Sequence, residues 1–125
     1  MDDKMLIEAA REARKNAYAP YSKFHVGAAI LTDSGKIYTG CNFENASFGA
    51  GTCAERTALG AAITAGERNF IAIACVGKDA SITPCGICRQ ALAEFGNMRV
   101  ICAGESGEEM RIYKLSDLLP HSFSL

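Results

Sequence analysis

The sequence of 125 residues has no excess of positive charge and no long apolar run. Lys and Arg number 13 and Asp and Glu 14, which leaves a net charge of −1. A protein that binds nucleic acid mainly through its phosphates usually carries a basic surface, so this balance argues against such a partner. No apolar run approaches the roughly 18 residues of a membrane helix, and the acidic start argues against a signal peptide. These absences predict a cytoplasmic protein that binds neither nucleic acid nor membrane.

The chain also lacks internal repeats, low-complexity segments and anything that reads as a linker. Hydrophobic residues make up 49% and charged residues 22%, as in ordinary globular proteins. A chain of this length buries a sizeable core without covalent staples. We therefore predict one domain that comprises residues 1–125.

Hydrophobic periodicity predicts alternating helices and strands. The predicted helices span residues 3 to about 17, 53–65 and 83–96, and the predicted strands 24–31, 36–43, 70–76, 99–103 and 109–114. We expect Thr52 and Thr83 to be helix N-caps, with Pro84 at the first helical position. Residues 104–108 are too few for a parallel crossover, so the last two strands should be antiparallel. The prediction is a three-layer α/β/α fold with a mixed five-stranded sheet.

Cysteine is plentiful, and three of the six cysteines open predicted helices. In a reducing compartment such a count favours metal or catalytic use over disulfides. Cys53 begins one helix, and Cys85 and Cys88 lie on one face at the start of the next. Helix N-termini favour thiolates, and in α/β sheets these termini gather at one edge. The three thiols are therefore predicted to meet.

Three thiolates leave one tetrahedral position of a zinc ion open, which is typical of a catalytic site. Zinc would make a water in that position acidic enough to act as hydroxide. Glu55, two residues from Cys53, is the natural proton carrier. Because three thiolates make the centre net negative, we hypothesise that Arg56 and Arg89 donate hydrogen bonds to them. We expect Arg56 to be the more important of the two.

Other interpretations of these cysteines stay open. Cys85 and Cys88 alone suit a thioredoxin-like redox site as well as zinc, and Cys53-Ala54-Glu55 favours zinc. A closed structural site would need a fourth ligand from Cys41, Cys75 or Cys102. A non-catalytic zinc-binding module is a further alternative.

The order of the motifs resembles the small, single-domain, zinc-dependent cytidine deaminases. Leu118-Leu119-Pro120 with Phe123 is similar to the family's tail. The other resembling segments are Tyr18-Ala19-Pro20-Tyr21-Ser22-Lys23-Phe24, Val26-Gly27-Ala28-Ala29, Asn42-Phe43-Glu44-Asn45-Ala46, Cys53-Ala54-Glu55-Arg56-Thr57-Ala58 and Pro84-Cys85-Gly86-Ile87-Cys88-Arg89-Gln90.

This resemblance implies hydrolytic deamination of cytidine and deoxycytidine to uridine and deoxyuridine, with release of ammonia, as in pyrimidine salvage. A deaminase that acts on another substrate, such as an aminonucleoside antibiotic or a nucleic-acid base, stays open as an alternative. It implies one zinc ion per subunit, held by Cys53, Cys85 and Cys88. Glu55 would take a proton from the water, protonate N3 of the base and then protonate the leaving amine. Gln90 would support the ligands from outside the coordination sphere.

The resemblance also implies how the substrate is held. Phe24 would pack on the nucleoside, and Asn42 and Glu44 would hold the ribose hydroxyls. The Ala54 backbone would contact the base, and Phe123 would reach a neighbouring subunit's site in a homotetramer. A carboxylate and an amide suit hydroxyl partners, and such a site rejects ligands that lack them. Free cytosine should therefore be a poor substrate.

Overall fold

The computed structural model describes residues 2–125. The elements, in chain order, are α1 (Asp3–Arg14), β1 (Gly27–Thr32), β2 (Ile37–Cys41), a short 3-10 turn (Phe48–Ala50), α2 (Ala54–Thr64), β3 (Phe70–Val76), α3 (Gly86–Ala93), β4 (Arg99–Ala103), β5 (Met110–Lys114) and α4 (Leu115–Leu118). No helix within residues 2–125 is both long and apolar enough to cross a membrane.

The strands form one mixed sheet with the order β2-β1-β3-β4-β5. β3 and β4 are parallel, whereas the other neighbouring pairs are antiparallel. The antiparallel β4–β5 pair confirms the prediction from the short connection between them. The five-stranded mixed sheet is likewise confirmed.

Helices cover both faces of this sheet. On one face α1 packs through Leu6, Ile7 and Ala10 against alternate residues of β1, β3 and β4. On the other face α2 and α3 pack against the intervening residues of the same strands. β1 is buried along its whole length, as expected for a strand covered on both sides. The three-layer α/β/α prediction is therefore confirmed.

Two predicted boundaries are wrong near the N-terminus. α1 ends at Arg14 instead of about residue 17, because the next residues form tighter i→i−3 turns. β1 begins at Gly27 instead of residue 24. The Asn42 side chain bonds the Phe24 carbonyl and the Val26 N–H at 2.8 Å each, so a side chain takes the place of a strand neighbour there.

The predicted N-caps are also wrong, because two of the clustered cysteines occupy the N-cap positions. Cys53 caps α2 and Cys85 caps α3, both in extended conformation and without a capping side-chain bond. Thr52 instead pairs through its backbone with Phe43, and the Thr83 hydroxyl accepts from Arg89. Each cysteine therefore stands just outside a helix end with free N–H groups.

A glycine allows α2 to lie directly on β2. A Cβ at Gly40 would fall 2.4 Å from the Ala58 nitrogen and 2.7 Å from the Ala54 carbonyl oxygen. Only a residue without a side chain permits this backbone contact. The contact fixes the position of the helix whose first turn carries Glu55.

Candidate metal centre and active site

The sulfurs of Cys53, Cys85 and Cys88 form a cluster with the size of a zinc site. Cys53 and Cys85 are 3.6 Å apart, Cys85 and Cys88 are 3.5 Å apart, and all three sulfurs lie within 4.8 Å of one another. Tetrahedral zinc with Zn–S bonds of about 2.3 Å places its sulfurs about 3.8 Å apart. The donor set therefore fits zinc.

Two helix N-termini and one helical turn bring the three thiols together. Cys53 is half-buried at the start of α2, Cys85 is exposed at the start of α3, and Cys88 is buried in the first turn of α3. Among residues 2–125 no fourth cysteine joins this cluster. The alternative of a closed four-cysteine site therefore finds no support. A dithiol redox pair would not explain why a third sulfur lies in the cluster.

The contact between Cys53 and Cys88 shifts the pKa values of these two thiols in opposite directions. The hydrogen bond from Cys88, helped by Arg56 and Cys85, lowers the pKa of Cys53 to about 5. The same bond to Cys53, together with burial, raises the pKa of Cys88. Thiols must lose their protons to bind metal, and Cys53 is poised to do so.

Arg56 lies beside the cluster, as hypothesised. Its Nη2 is 3.9 Å from the Cys53 sulfur, and its contacts with Cys88 and Cys53 raise the pKa of the guanidinium. Its Nε is a buried polar atom without a hydrogen-bond partner in the described chain. A guanidinium here offsets part of the negative charge that three thiolates bring.

Arg89 does not donate to a thiolate, which corrects the second half of that hypothesis. Its Nε donates to the Pro84 carbonyl at 2.7 Å, Nη1 to the Leu118 carbonyl at 2.7 Å and Nη2 to the Thr83 hydroxyl at 3.0 Å. All three nitrogens are thus bonded to oxygen. The neighbouring Gln90 donates through Nε2 to the Phe123 carbonyl at 3.1 Å. Both side chains therefore bind the C-terminal segment.

Glu55 is the charged side chain of the core. It lies in the first turn of α2 and is only 3% exposed. Burial raises the pKa of its carboxyl, and the charge of Cys53 adds to the effect. A buried carboxyl with a raised pKa beside a thiol cluster is suited to accept and return protons.

A cavity of about 600 Å³ opens over this centre. Cys53, Ala54, Glu55 and Cys85 line it, which places the thiols and the buried carboxyl at one wall. Facing them are aromatic and polar side chains, which include Phe24, Asn42, Phe43, Glu44 and Phe48. The volume and this mixture of surfaces suit a small, partly polar ring compound.

The polar rim of the cavity is already hydrogen-bonded to its own backbone. Glu44 accepts from the N–H groups of Tyr21 and Ser22 at 3.0 and 3.1 Å, and also from the Ser22 hydroxyl. The Ser22 oxygen in turn accepts from the Phe24 N–H at 3.0 Å. Lys23 between them has a φ of 61°, an uncommon left-handed conformation for this residue type. The loop is therefore held by Glu44.

Sequence reasoning missed the role of Ser22. The available signal was a hydroxyl two residues before an aromatic, a spacing typical of short side-chain-to-backbone bonds. Phe123 is the one predicted substrate contact outside the cavity of its own chain, and its side chain is 69% exposed. The other predicted contacts, Phe24, Asn42, Glu44 and Ala54, line one cavity.

Comparison with known proteins decides the family. The family model described as "Cytidine and deoxycytidylate deaminase zinc-binding region" matches residues 1–104. The chain belongs to this deaminase family. The family resemblance noted in the sequence is thereby confirmed, and Cys53, Cys85 and Cys88 form a cluster positioned to bind the metal ion of this zinc-binding family.

The relatives of this deaminase match nearly its whole length. A cytidine deaminase of Sporosarcina psychrophila is 46% identical over 129 aligned residues, which cover 99% of this chain and 93% of that protein. One of Halalkalibacterium halodurans is 45% identical over 127, with coverages of 99% and 96%. A crystal structure of cytidine deaminase from Burkholderia pseudomallei has a TM-score of 0.92 and 50% identity, and the match covers 98% of this chain and 100% of that one.

Proposed function

We propose that the protein is a cytidine deaminase, a hydrolase that converts cytidine and deoxycytidine to uridine and deoxyuridine with release of ammonia. The observation that carries the proposal is a buried carboxyl, Glu55, beside three clustered thiols at the wall of a nucleoside-sized cavity. Full-length similarity to proteins named cytidine deaminase supports the substrate. In cells this reaction would serve pyrimidine salvage.

Zinc held by Cys53, Cys85 and Cys88 would supply a Lewis acid that lowers the pKa of water at its open position. Glu55 accepts the proton of the attacking water and delivers it to N3 of the pyrimidine. It then transfers the second water proton to the 4-amino nitrogen, which leaves as ammonia. Its burial beside the thiols keeps the carboxyl within reach of these atoms and raises its pKa toward that of an effective acid and base.

Asn42 and Glu44 hold the sugar, and their existing bonds limit what they can add. Glu44 already accepts three hydrogen bonds of the roughly four that a carboxylate takes. Asn42 uses one amide N–H for the Phe24 carbonyl and has a second one free. One acceptor site and one donor site suit a single hydroxyl better than two. This supports the use of both ribose and deoxyribose nucleosides.

The base lies between the aromatic and the backbone parts of the cavity. Phe24, half exposed at the rim, packs on the nucleoside, and the Ala54 backbone at the start of α2 contacts the base. Ala54 is fully buried in the chain and is one of the residues that line the cavity, where its main chain can meet the base. An aromatic face and main-chain groups together select a planar, polar ring.

Subunits associate as a homotetramer, in which Phe123 enters a neighbour's site. Support comes from the exposed apolar side chains around the cavity, which include Tyr21, Phe24, Phe43 and Phe48. Exposed apolar patches of this kind mark association surfaces. The Gln90 bond holds the Phe123 main chain while its side chain stays exposed. Light scattering on the purified protein measures the assembly.

We place the protein in the cytoplasm and treat residues 1–125 as one domain. The thiols at positions 53, 85 and 88 bind metal only when reduced, which favours a reducing compartment. Both helical layers pack on one sheet, and this supports a single folding unit.

The test is the ultraviolet absorbance of cytidine incubated with purified, zinc-loaded protein. We expect the cytidine band to fall as ammonia appears in equal amount, with deoxycytidine following and cytosine reacting poorly. A protein that holds zinc but leaves cytidine unchanged would disprove the proposed substrate. The same assay with other aminonucleosides then distinguishes a deaminase of another substrate.

A further inference from the structure

The Arg89 guanidinium connects the loop before α3 to the end of the chain. On one side it binds the Pro84 carbonyl and the Thr83 hydroxyl, and on the other the Leu118 carbonyl at the end of α4. Its backbone N–H also donates to the Cys85 carbonyl at 2.9 Å. The residue thus binds each of the three positions from 83 to 85.

Of the three proposed zinc ligands, Cys85 is the one held least by burial and by the secondary structure around it. Cys88 is buried inside α3, whereas Cys85 is exposed and follows a stretch without helix or strand from residue 77 onward. Cys53 has a second anchor, because both the backbone N–H and the hydroxyl of Thr57 donate to its carbonyl at 3.1 Å. The bonds from Arg89 therefore carry much of what fixes Cys85.

We propose that Arg89 is a positioning residue for the metal centre, which sets the Cys85 sulfur and couples it to the C-terminal segment at Leu118. Arg89 acts through the backbone, since all three nitrogens of its guanidinium donate to oxygen and none to sulfur. A planar fork with fixed donor directions does this, and a lysine ammonium does not. The proposal rests on the zinc site of the proposed function and not on the identity of the nucleoside.

The test measures zinc release from the loaded protein into excess chromogenic chelator, with no substrate present. We expect Arg89→Met to release zinc faster, by about 10-fold to 100-fold, as for other residues that orient metal ligands. Arg89→Lys keeps the positive charge but loses the fork, so it should release zinc nearly as fast. A wild-type rate in Arg89→Lys would show that charge alone matters and would overturn the proposal.

Arg68→Met is the matched control. Arg68 also donates to main-chain carbonyls, those of Ile63 and Glu67, but at the far end of α2. We expect it to release zinc at the wild-type rate even if its free energy of unfolding changes. Equal acceleration in Arg68→Met and Arg89→Met would indicate a general loss of stability and would also overturn the proposal.

Thr83→Val provides a milder variant if Arg89→Met does not fold. It removes one of the three side-chain bonds and keeps the branched shape of the side chain. We expect an increase of a few-fold in zinc release, smaller than in Arg89→Lys. Wild-type rates of zinc release in both Thr83→Val and Arg89→Lys would contradict the proposal. Because no turnover is measured, failure to deaminate cytidine leaves this result interpretable.

Discussion

The two walls of the cavity differ in the burial of their residues and in the elements on which those residues lie. At the zinc wall, Glu55, Cys53 and Cys88 lie in or against helix ends. Glu55 and Cys88 are buried there, and Cys53 is half-buried. At the opposite rim, Phe24 is exposed and Glu44 is partly exposed, and Phe24 lies in the segment without helix or strand that precedes β1. The residues proposed for the chemistry lie at helix termini, whereas the residues proposed for substrate recognition lie on or beside a loop held by hydrogen bonds.

The difference shows in what each polar group binds. Glu55 is buried beside the thiols, and burial raises the pKa of its carboxyl, which suits a group that exchanges protons. The partly exposed Glu44 carboxylate accepts from Ser22 and Tyr21, and these bonds lower its pKa, which suits a group that stays charged. Two glutamates of one cavity are thereby given different roles by their environment.

The largest effect should come from Glu55→Gln, which keeps the shape of the side chain and removes the proton carrier. We expect turnover of cytidine to fall by about 100-fold to 10,000-fold, the usual contribution of a general acid and base. Zinc content and fold should stay the same, which metal analysis and circular dichroism check. The shorter Glu55→Ala variant should behave alike. Full activity in either variant would mean that the assigned mechanism is wrong.

Arg56→Gln tests the charge balance at the zinc wall. The guanidinium bonds to Cys53 and contacts Cys88, so its loss leaves the thiolates less well stabilised. We expect zinc affinity or turnover to fall by about 10-fold to 100-fold. Arg56→Lys, which restores the charge without the fork, should recover part of this loss. Unchanged zinc affinity together with unchanged turnover would refute the role.

Gly40→Ala tests the support beneath the zinc wall. A methyl group would collide with the α2 backbone, so we expect the free energy of unfolding to fall by about 1–3 kcal/mol, as in other overpacked sites. Gly60→Ala is the control, because Gly60 is an exposed helical residue with open space around it. The free energy of unfolding of Gly60→Ala should rise by about 0.5–1 kcal/mol. Urea unfolding measures both, and equal effects would contradict the close contact.

Ser22→Ala should have the smallest effect and should act on the rim alone. We expect the KM for cytidine to rise roughly threefold to tenfold with little change in kcat, since one hydrogen bond to Glu44 is lost. Ser22→Thr keeps the hydroxyl and should stay near wild type. A fall in kcat without a change in KM would contradict the separation of the two walls.

The same variant has a defined pH dependence. The Ser22 hydroxyl, with the backbone bonds, holds the pKa of Glu44 below its usual value. The carboxylate form, and the loop contact that it makes, is therefore retained as pH falls until the lowered pKa is passed. In Ser22→Ala the pKa moves back up, so the KM should begin to rise at a higher pH than in wild type. Coinciding pH profiles would count against the bond.

The sequence predicts the zinc wall far better than the rim. Cysteines at helix starts are expected to form thiolates and to gather at one edge of the sheet, and Cys53, Cys85 and Cys88 do meet there. The antiparallel β4–β5 pair also follows from the length of the connection between the two strands. Local propensity favoured Thr52 as an N-cap, but its pairing with Phe43 overrides that preference.

The errors arise where a side chain binds a distant backbone. The sequence predicts Arg89 on a thiolate, because its sequence neighbour is Cys88. The guanidinium instead donates to three oxygens, and one of these, the Leu118 carbonyl, lies 29 residues away, which no local pattern reveals. The Ser22–Glu44 bond likewise spans 22 residues. Such contacts depend on the assembled fold, whereas helix-end chemistry depends on a few adjacent residues.

The most direct test of the account is a zinc titration of the metal-free protein, with ammonia release from cytidine as the readout. Glu55 and the three thiols should act as one centre, so activity should rise linearly and level off at one zinc ion per chain. Full activity before zinc is added, or one bound zinc per chain without any deamination, would contradict the central claim that this wall of the cavity carries the chemistry.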